Sequence, residues 1–280
     1  GRYMDCLGSK AMTGQLDEAE LASARSPDGE TVPRAFREAG LDPGDIFEAR
    51  RAPEEIAVYL ELHVEQGPAL DSAGVPIGVV DRIASILRRD FVFEGVRNHA
   101  GQTPLNARRD ALRGASELVA GAFVEAGRMD DGAVRMNFGT IECRPGATST
   151  IPGFVRIRQE IRDADGDRLK ALAEASDAIA KSSATRHGLS LDIQPVGWIA
   201  GTDLSSTIKA RIVEATERLG VDHQVMASGT GHDSQVMAKF VRTGLILVPS
   251  CEGRSHCPEE DTASGDLEAG ANVLLGTLAG

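Results

Sequence analysis

The chain has 280 residues, 41% of them hydrophobic, and carries 30 Lys and Arg against 42 Asp and Glu, a formal net charge of −12. That balance argues against nucleic acid and anionic membranes as partners, since both recruit a basic face. No apolar run reaches the ~18 residues of a membrane span, and no charged-then-apolar signal segment opens the chain.

The length suits two modest domains. Cys6, Cys143, Cys251 and Cys257 form no C-x-x-C pair and read as free thiols of a reducing, cytoplasmic protein. Residues 1–17 are turn-rich. Short helices are expected over 16–24 and 31–39, the second ended by Gly40 to Gly44. Alternation of Ile56, Val58, Leu60 and Leu62 with polar neighbours predicts a strand over 56–62. A helical turn follows at 68–73, then a β-rich run at 76–86.

Composition changes at Leu87-Arg88-Arg89-Asp90. Strands are then expected over 91–96, 133–143, 154–163 and 189–196, and helices over 104–127 and 167–186. In the first helix Ala111, Ala115, Leu118 and Ala122 fall on one face. This βαββαβ order is ferredoxin-like. The α/β order then returns: a helix over 203–219 with Asp203 as N-cap, a strand at 224–227, a buried strand over 244–249, a polar loop at 252–260 and a closing helix over 263–278. The boundaries expected are 1–86, 87–200 and 201–280, one α/β domain interrupted by an α+β insertion.

The stretch Glu61-Leu62-His63-Val64-Glu65-Gln66-Gly67-Pro68 is the most informative. The strand places His63 and Glu65 on one face, and Gly67 and Pro68 suit a sharp turn into a helix. On spacing alone, a metal site and an ordinary polar surface strand both stay open. His256, just past the buried strand, lies where open α/β sheets build sites. His187 and His223 read as surface residues. Thr103 and Pro104 read as N-cap and first helical residue behind His99.

The stretch resembles the Glu-Leu-His-Ile-Glu-Gln-Gly-Pro motif of the N-carbamoyl-L-amino-acid hydrolase and allantoate amidohydrolase family, within the di-zinc aminoacylase/carboxypeptidase superfamily. The resemblance covers nearly the whole chain. It continues in Asn98-His99-Ala100-Gly101-Gln102-Thr103-Pro104, in Ser149-Thr150-Ile151-Pro152, in Glu160-Ile161-Arg162, in Gly229-Thr230-Gly231-His232-Asp233 and in Ser255-His256-Cys257-Pro258. It implies a zinc-exopeptidase-like catalytic domain interrupted by a ferredoxin-like lid and dimerisation domain. His63 and His256 are then metal ligands, for two zincs or alternatively manganese. His99 of a partner subunit donates to the developing oxyanion. Arg162 and Ser149 hold a substrate carboxylate, and Gln66 and Gly231 make polar contacts with substrate. Ser149 stands where relatives carry Asn, Glu160 replaces an Asp, and Cys257 replaces an Asn and is expected to pack. Ile86 stands where allantoate-cleaving relatives tend to carry Gln, which argues against allantoate.

Other family ligands and the general base belong to segments that have no counterpart in this sequence, so the catalytic domain reads as incomplete. The expectation is a cytoplasmic, homodimeric hydrolase of small ureido acids that is inactive as these 280 residues alone. A non-catalytic dimerisation or binding remnant, and an acyl-amino-acid or peptide hydrolase, are the alternatives.

Overall fold

The computed structural model describes residues 2–26, 28–129 and 132–280. The chain divides into two compact units, Gly1–Ile83 with Thr202–Gly280, and Ala84–Gly201 inserted between them in sequence. The first unit begins with α1 (Leu7–Met12), α2 (Glu18–Ser23) and α3 (Val32–Glu38), followed by β1 (Tyr59–Val64), α4 (Ala69–Ala73) and β2 (Ile77–Ile83). The inserted unit runs β3 (Ser85–Glu94), β4 (Asn98–His99), α5 (Ala111–Met129), β5 (Arg135–Arg144), β6 (Thr150–Ile151), β7 (Phe154–Asp163), α6 (Gly166–His187) and β8 (Ser190–Ile199). The first unit then resumes with β9 (Thr202–Asp203), α7 (Ser206–Leu219), β10 (His223–Ser228), α8 (Asp233–Met237), β11 (Thr243–Val248) and α9 (Ser264–Ala279).

In the first unit the sheet order is β1-β11-β2-β10, with β9 beside β2. β1 and β11 are parallel, Val64 opposite Val248. Every residue of β11 is buried, as the apolar run at 244–249 predicts. Ile246 and Val248 pack with Ile208 and Ile212 of α7 and Val273 of α9. Leu245 and Leu247 point the other way, onto Leu70 and Leu204. α7 rides close over β11 because position 244 is glycine: a Cβ there would lie 2.5 Å from Ile208 Cγ2.

The cap of α7 is Ser205, whose Oγ accepts from the Ile208 N–H, rather than Asp203. Asp203 sits in β9 and pairs with Arg82 at 2.5 Å. The helix therefore starts three residues later than expected. Ser205→Ala should lower stability by about 0.5–1 kcal/mol, read as a lower denaturant midpoint with an unchanged slope.

The inserted unit is the expected ferredoxin-like βαββαβ arrangement, an antiparallel sheet of order β5-β7-β3-β8. Phe91, Phe93, Val155 and Ile157 pack beneath Ala115, Leu118 and Ala122 of α5 and Ala180 of α6. β4 and β6 form a separate two-stranded ribbon. Two local expectations fail here. α5 starts at Ala111, because the Asp110 side chain accepts from the Leu112 and Arg113 N–H groups, while the Thr103 hydroxyl donates to the His99 carbonyl. The charged run 87–90 lies inside β3. Its charges are tolerated because neighbours pair them: Arg89 meets Gln159 and Asp177, and Asp90 meets Arg158.

Asp90 receives two bonds from Arg158, at 2.7 and 2.9 Å, which hold its carboxyl below the usual range. A depressed carboxyl adds stability above its unfolded pKa and loses it as pH falls through the folded one. The melting-temperature gap between wild type and Asp90→Asn should thus be widest near neutrality and close below pH roughly 4.

Candidate functional site

The carboxyl ends of β1 and β11 organise the first unit's polar residues. His63 Nδ1 lies 2.8 Å from the Val64 carbonyl oxygen. A carbonyl only accepts, so Nδ1 carries the proton and Nε2 keeps its lone pair. Two residues earlier on the same strand face, Glu61 Oε2 accepts from the Ser234 N–H at 2.8 Å and hydroxyl at 2.7 Å. The ring of His232 stands edge-on to that of His63, with centroids 4.9 Å apart and planes at 77°.

The His232 side chain is fully buried. Its Nε2 lies 2.8 Å from the hydroxyls of both Ser228 and Thr230. Its Nδ1 has no hydrogen-bond partner and faces Glu61 Oε1 at 3.7 Å. Burial pushes the Glu61 carboxyl up, but His232 and Ser234 more than offset it and leave it below the usual range. Segment 2–13 covers this turn: the Cys6 thiol donates to the His232 carbonyl, and the Ser9 hydroxyl to Asp233. Burial, aided by the charge of Asp233, pushes the Cys6 thiol up to about 11. Burial and the Glu61 charge likewise raise the Tyr59 phenol.

Past β1, Glu65 spends its carboxylate on the Ala69 and Leu70 N–H groups, the first two of α4, whose N-cap residue is Pro68. Gln66 adopts φ +59, a left-handed conformation rare for a side-chain-bearing residue. Its N–H donates to Ser250 Oγ, just beyond β11. The loop from β11 then carries His256, exposed and also left-handed at φ +57. Glu260 ties this loop together, accepting from the His256 N–H at 2.9 Å and the Ser255 hydroxyl at 3.1 Å. The His256 N–H is the main reason its carboxyl titrates below the usual range, and Gln66 adds to the effect. Gly253, at φ +65, presses on Pro68, where a Cβ would come within 2.7 Å of the backbone nitrogen. The loop that carries His256 is thus tied to the turn that follows His63. Cys257 is half-buried, and all four cysteines are unpaired.

Metal chemistry is met in part. His63, with Nδ1 tied to a backbone carbonyl, has the outer-shell arrangement of a metal-binding imidazole. Among the described residues, however, no group of three or more His, Cys, Asp or Glu side chains could hold a metal ion. His63 alone thus offers an oriented nitrogen donor, where a zinc site needs at least three protein ligands.

In the inserted unit, His99 and Ser149 are neighbours: β4 pairs with β6, His99 opposite Thr150, and the Ala100 N–H donates to the Ser149 carbonyl at 2.8 Å. Both are exposed. His99 Nδ1 accepts from the Gly101 N–H at 3.1 Å, which leaves Nε2 as the ring's outer atom. Arg162 lies at the far end of β7, its Nε held by Glu160 at 2.7 Å. The strand from Phe154 to Arg162 is on the order of 25 Å long at ~3.3 Å per residue. One copy of the chain therefore does not bring Ser149 and Arg162 to the same small carboxylate.

Gly231 is exposed, and a Cβ there would make an ordinary 3.5 Å contact with Gln235, so packing does not demand glycine. His187 and His223, expected at the surface, are both engaged: His187 Nε2 with Glu117 at 2.7 Å, and His223 Nδ1 with the Thr216 hydroxyl at 2.9 Å. Sequence reasoning passed over Glu61 and His232 as a pair. The signal available was the i−2 spacing of Glu61 from His63, on the same strand face.

Residues 4–280 match the model of the peptidase family M20/M25/M40. An N-carbamoyl-L-amino-acid amidohydrolase of Paenarthrobacter aurescens is 32% identical over 96% of this chain and 65% of its own length. An allantoate amidohydrolase of Bacillus subtilis is 30% identical over 98% of this chain and 66% of its own. A crystal structure of an amidase of the hydantoinase/carbamoylase family from Burkholderia phymatum superposes with TM-score 0.86 at 29% identity, covering 100% of this chain and 67% of that one. The chain spans a little under two thirds of these curated relatives. With the family model matched over nearly its whole length, the chain belongs to the peptidase family M20/M25/M40.

Proposed function

We propose that the protein is a metal-dependent amidohydrolase that cleaves the linear carbamoyl amide of N-carbamoyl-L-amino acids or related ureido acids. Hydrolysis of such a group by one water yields the amino acid, ammonia and carbon dioxide. The reading is supported by His63 at the carboxyl end of β1 and by His256 in the loop that follows the adjacent parallel strand β11, in a chain whose relatives include N-carbamoyl-L-amino-acid and allantoate amidohydrolases. In it, His63 and His256 hold zinc or manganese, whose role when bound is Lewis acidity toward the scissile carbonyl. Gln66 and Gly231 contact the substrate's polar atoms. His99 donates from its ring to the oxygen on which negative charge develops. Arg162 grips the carboxylate in a two-bond fork. Because His99 and Ser149 lie beyond the opposite end of β7 from Arg162, one small substrate meets all three only if two copies contribute. A homodimer joined through the inserted unit supplies them.

The protein as its gene encodes it in full should release ammonia from N-carbamoyl-L-amino acids and lose that activity to a chelator. Equal inactivity on carbamoyl, allantoate, acyl and dipeptide substrates with zinc or manganese added would overturn the reading. The 280 residues alone should retain almost no zinc after dialysis and show no turnover, since their described residues group fewer than three ligands. That incomplete ligand set also favours a second reading, a non-catalytic dimerisation module. Full-length protein that dimerises but neither binds metal nor turns over would establish it.

A further inference from the structure

His232 is the most deeply buried histidine of the first unit's polar cluster, and one of its nitrogens is unaccounted for. Its Nε2 sits between two hydroxyls, Ser228 and Thr230, both able to donate to it. A hydroxyl can equally accept, but the carboxylate facing Nδ1 favours the tautomer with the proton on Nδ1 and with Nε2 as acceptor. That Nδ1–H is buried, has no partner, and faces Glu61 Oε1 at 3.7 Å. Leaving such a donor unpaired in the interior is unfavourable, whereas an approach of about 1 Å makes it a normal hydrogen bond. Glu61 can receive it, because Ser234 occupies only Oε2. The same turn thus grips β1 at two points on one face: Ser234 on Glu61, and the His232 ring on the His63 ring. His63 Nδ1 lies against the Val64 carbonyl, an arrangement that a flip of the ring would break.

We propose that His232 and Glu61 form a positioning pair for His63: Glu61 accepts the Nδ1–H of His232, and the ring so anchored packs edge-on against His63 and confines it to the Nδ1–H tautomer, with Nε2 free. Neither residue needs to touch substrate. The inference rests on the hydrolase reading for its purpose, since that reading is what requires His63 to be held. Its readout is the imidazole itself, so it can fail while the hydrolase reading stands, and the reverse.

The test is nitrogen NMR of this protein labelled at histidine, above the range in which imidazoles are charged. Wild type should show His63 as a single Nδ1–H tautomer, and His232 with a slowly exchanging Nδ1 proton. His232→Ala, and Glu61→Leu, which keeps side-chain bulk but removes the acceptor, should each move His63 to averaged tautomer shifts while the circular dichroism of the fold is retained. Unchanged His63 nitrogen shifts in either folded variant would overturn the pairing. So would a wild-type His63 already averaged between tautomers, or a His232 whose Nδ1 carries no proton, and these two outcomes need no variant to fold.

Discussion

Arg89→Ala should cost the inserted unit about 3–5 kcal/mol and be the most damaging single truncation on its sheet. Arg89 is only 7% exposed in the middle of β3, yet its guanidinium is fully employed. It donates to Gln159 Oε1 through Nε at 3.0 Å and NH2 at 2.9 Å, to the Ala173 carbonyl at 2.7 Å, and to Asp177 at 2.5 Å. Alanine leaves the carbonyl oxygen of the fully buried Gln159 amide without its donors, takes the additional donor from the Ala173 helix carbonyl, and removes the charge opposite Asp177. The penalty comes from those orphaned groups more than from the lost pair. Arg89→Met, which fills the stem's volume without a charge, should not recover the loss while Gln159 remains. The double variant Arg89→Met with Gln159→Leu should recover part of it, since removing both partners is far cheaper than removing one. Urea unfolding of the three variants decides this, and equal midpoints for the single and double variants would refute the orphaned-group account.

Arg89 also shows where reading the sequence reaches its limit. The run at 87–90 stood out as a change of composition ahead of the strand expected at 91–96, yet it lies inside β3. The partners of its charges, Gln159, Asp177 and Arg158, come from a strand and a helix about seventy or more positions away, and no local rule points to them. The same holds for α5. Thr103-Pro104 carries a good start signal, but Asp110 makes the capping bonds and Thr103 turns back to His99. Where the signal is itself local, it served well. The apolar stretch at 244–249 reads as a buried strand, and β11 is one.

At the site, His63 and His256 stood out through their motifs; His63 lies in β1, which runs parallel to β11, and His256 in the loop beyond β11. His232 did not stand out, because a histidine after Gly-Thr-Gly looks like part of a turn until tertiary packing buries its ring. The joint role given to Ser149 and Arg162 needs two copies of the chain, because the strand expected at 154–163 holds its two ends apart.

Arg162→Ala should raise the KM of the full-length enzyme for a carbamoyl amino acid by roughly 10- to 100-fold, the equivalent of the about 1.5–3 kcal/mol that hydrogen bonds to a charged group contribute. Turnover at saturation should fall much less, because the carboxylate is bound equally in ground and transition states. Arg162→Lys should lie between: the charge remains, but a lysine offers a point rather than a planar fork. The pairing with Glu160 makes the expectation more specific. Glu160 accepts from Arg162 at 2.7 Å and from Arg88 at 2.5 Å, so the guanidinium is already aimed by a carboxylate on its own strand. Burial would raise the Glu160 carboxyl, but these two arginines hold it below the usual range, so as a carboxylate it would compete with a substrate carboxylate for Arg162. Glu160→Gln should therefore separate aim from competition. If Glu160 chiefly aims Arg162, the amide variant raises KM; if it chiefly competes, the variant lowers it. Either shift places Arg162 at the carboxylate. A KM unmoved in Arg162→Ala and Glu160→Gln alike would remove Arg162 from the site and leave its bond to Glu160 as an ordinary surface pair.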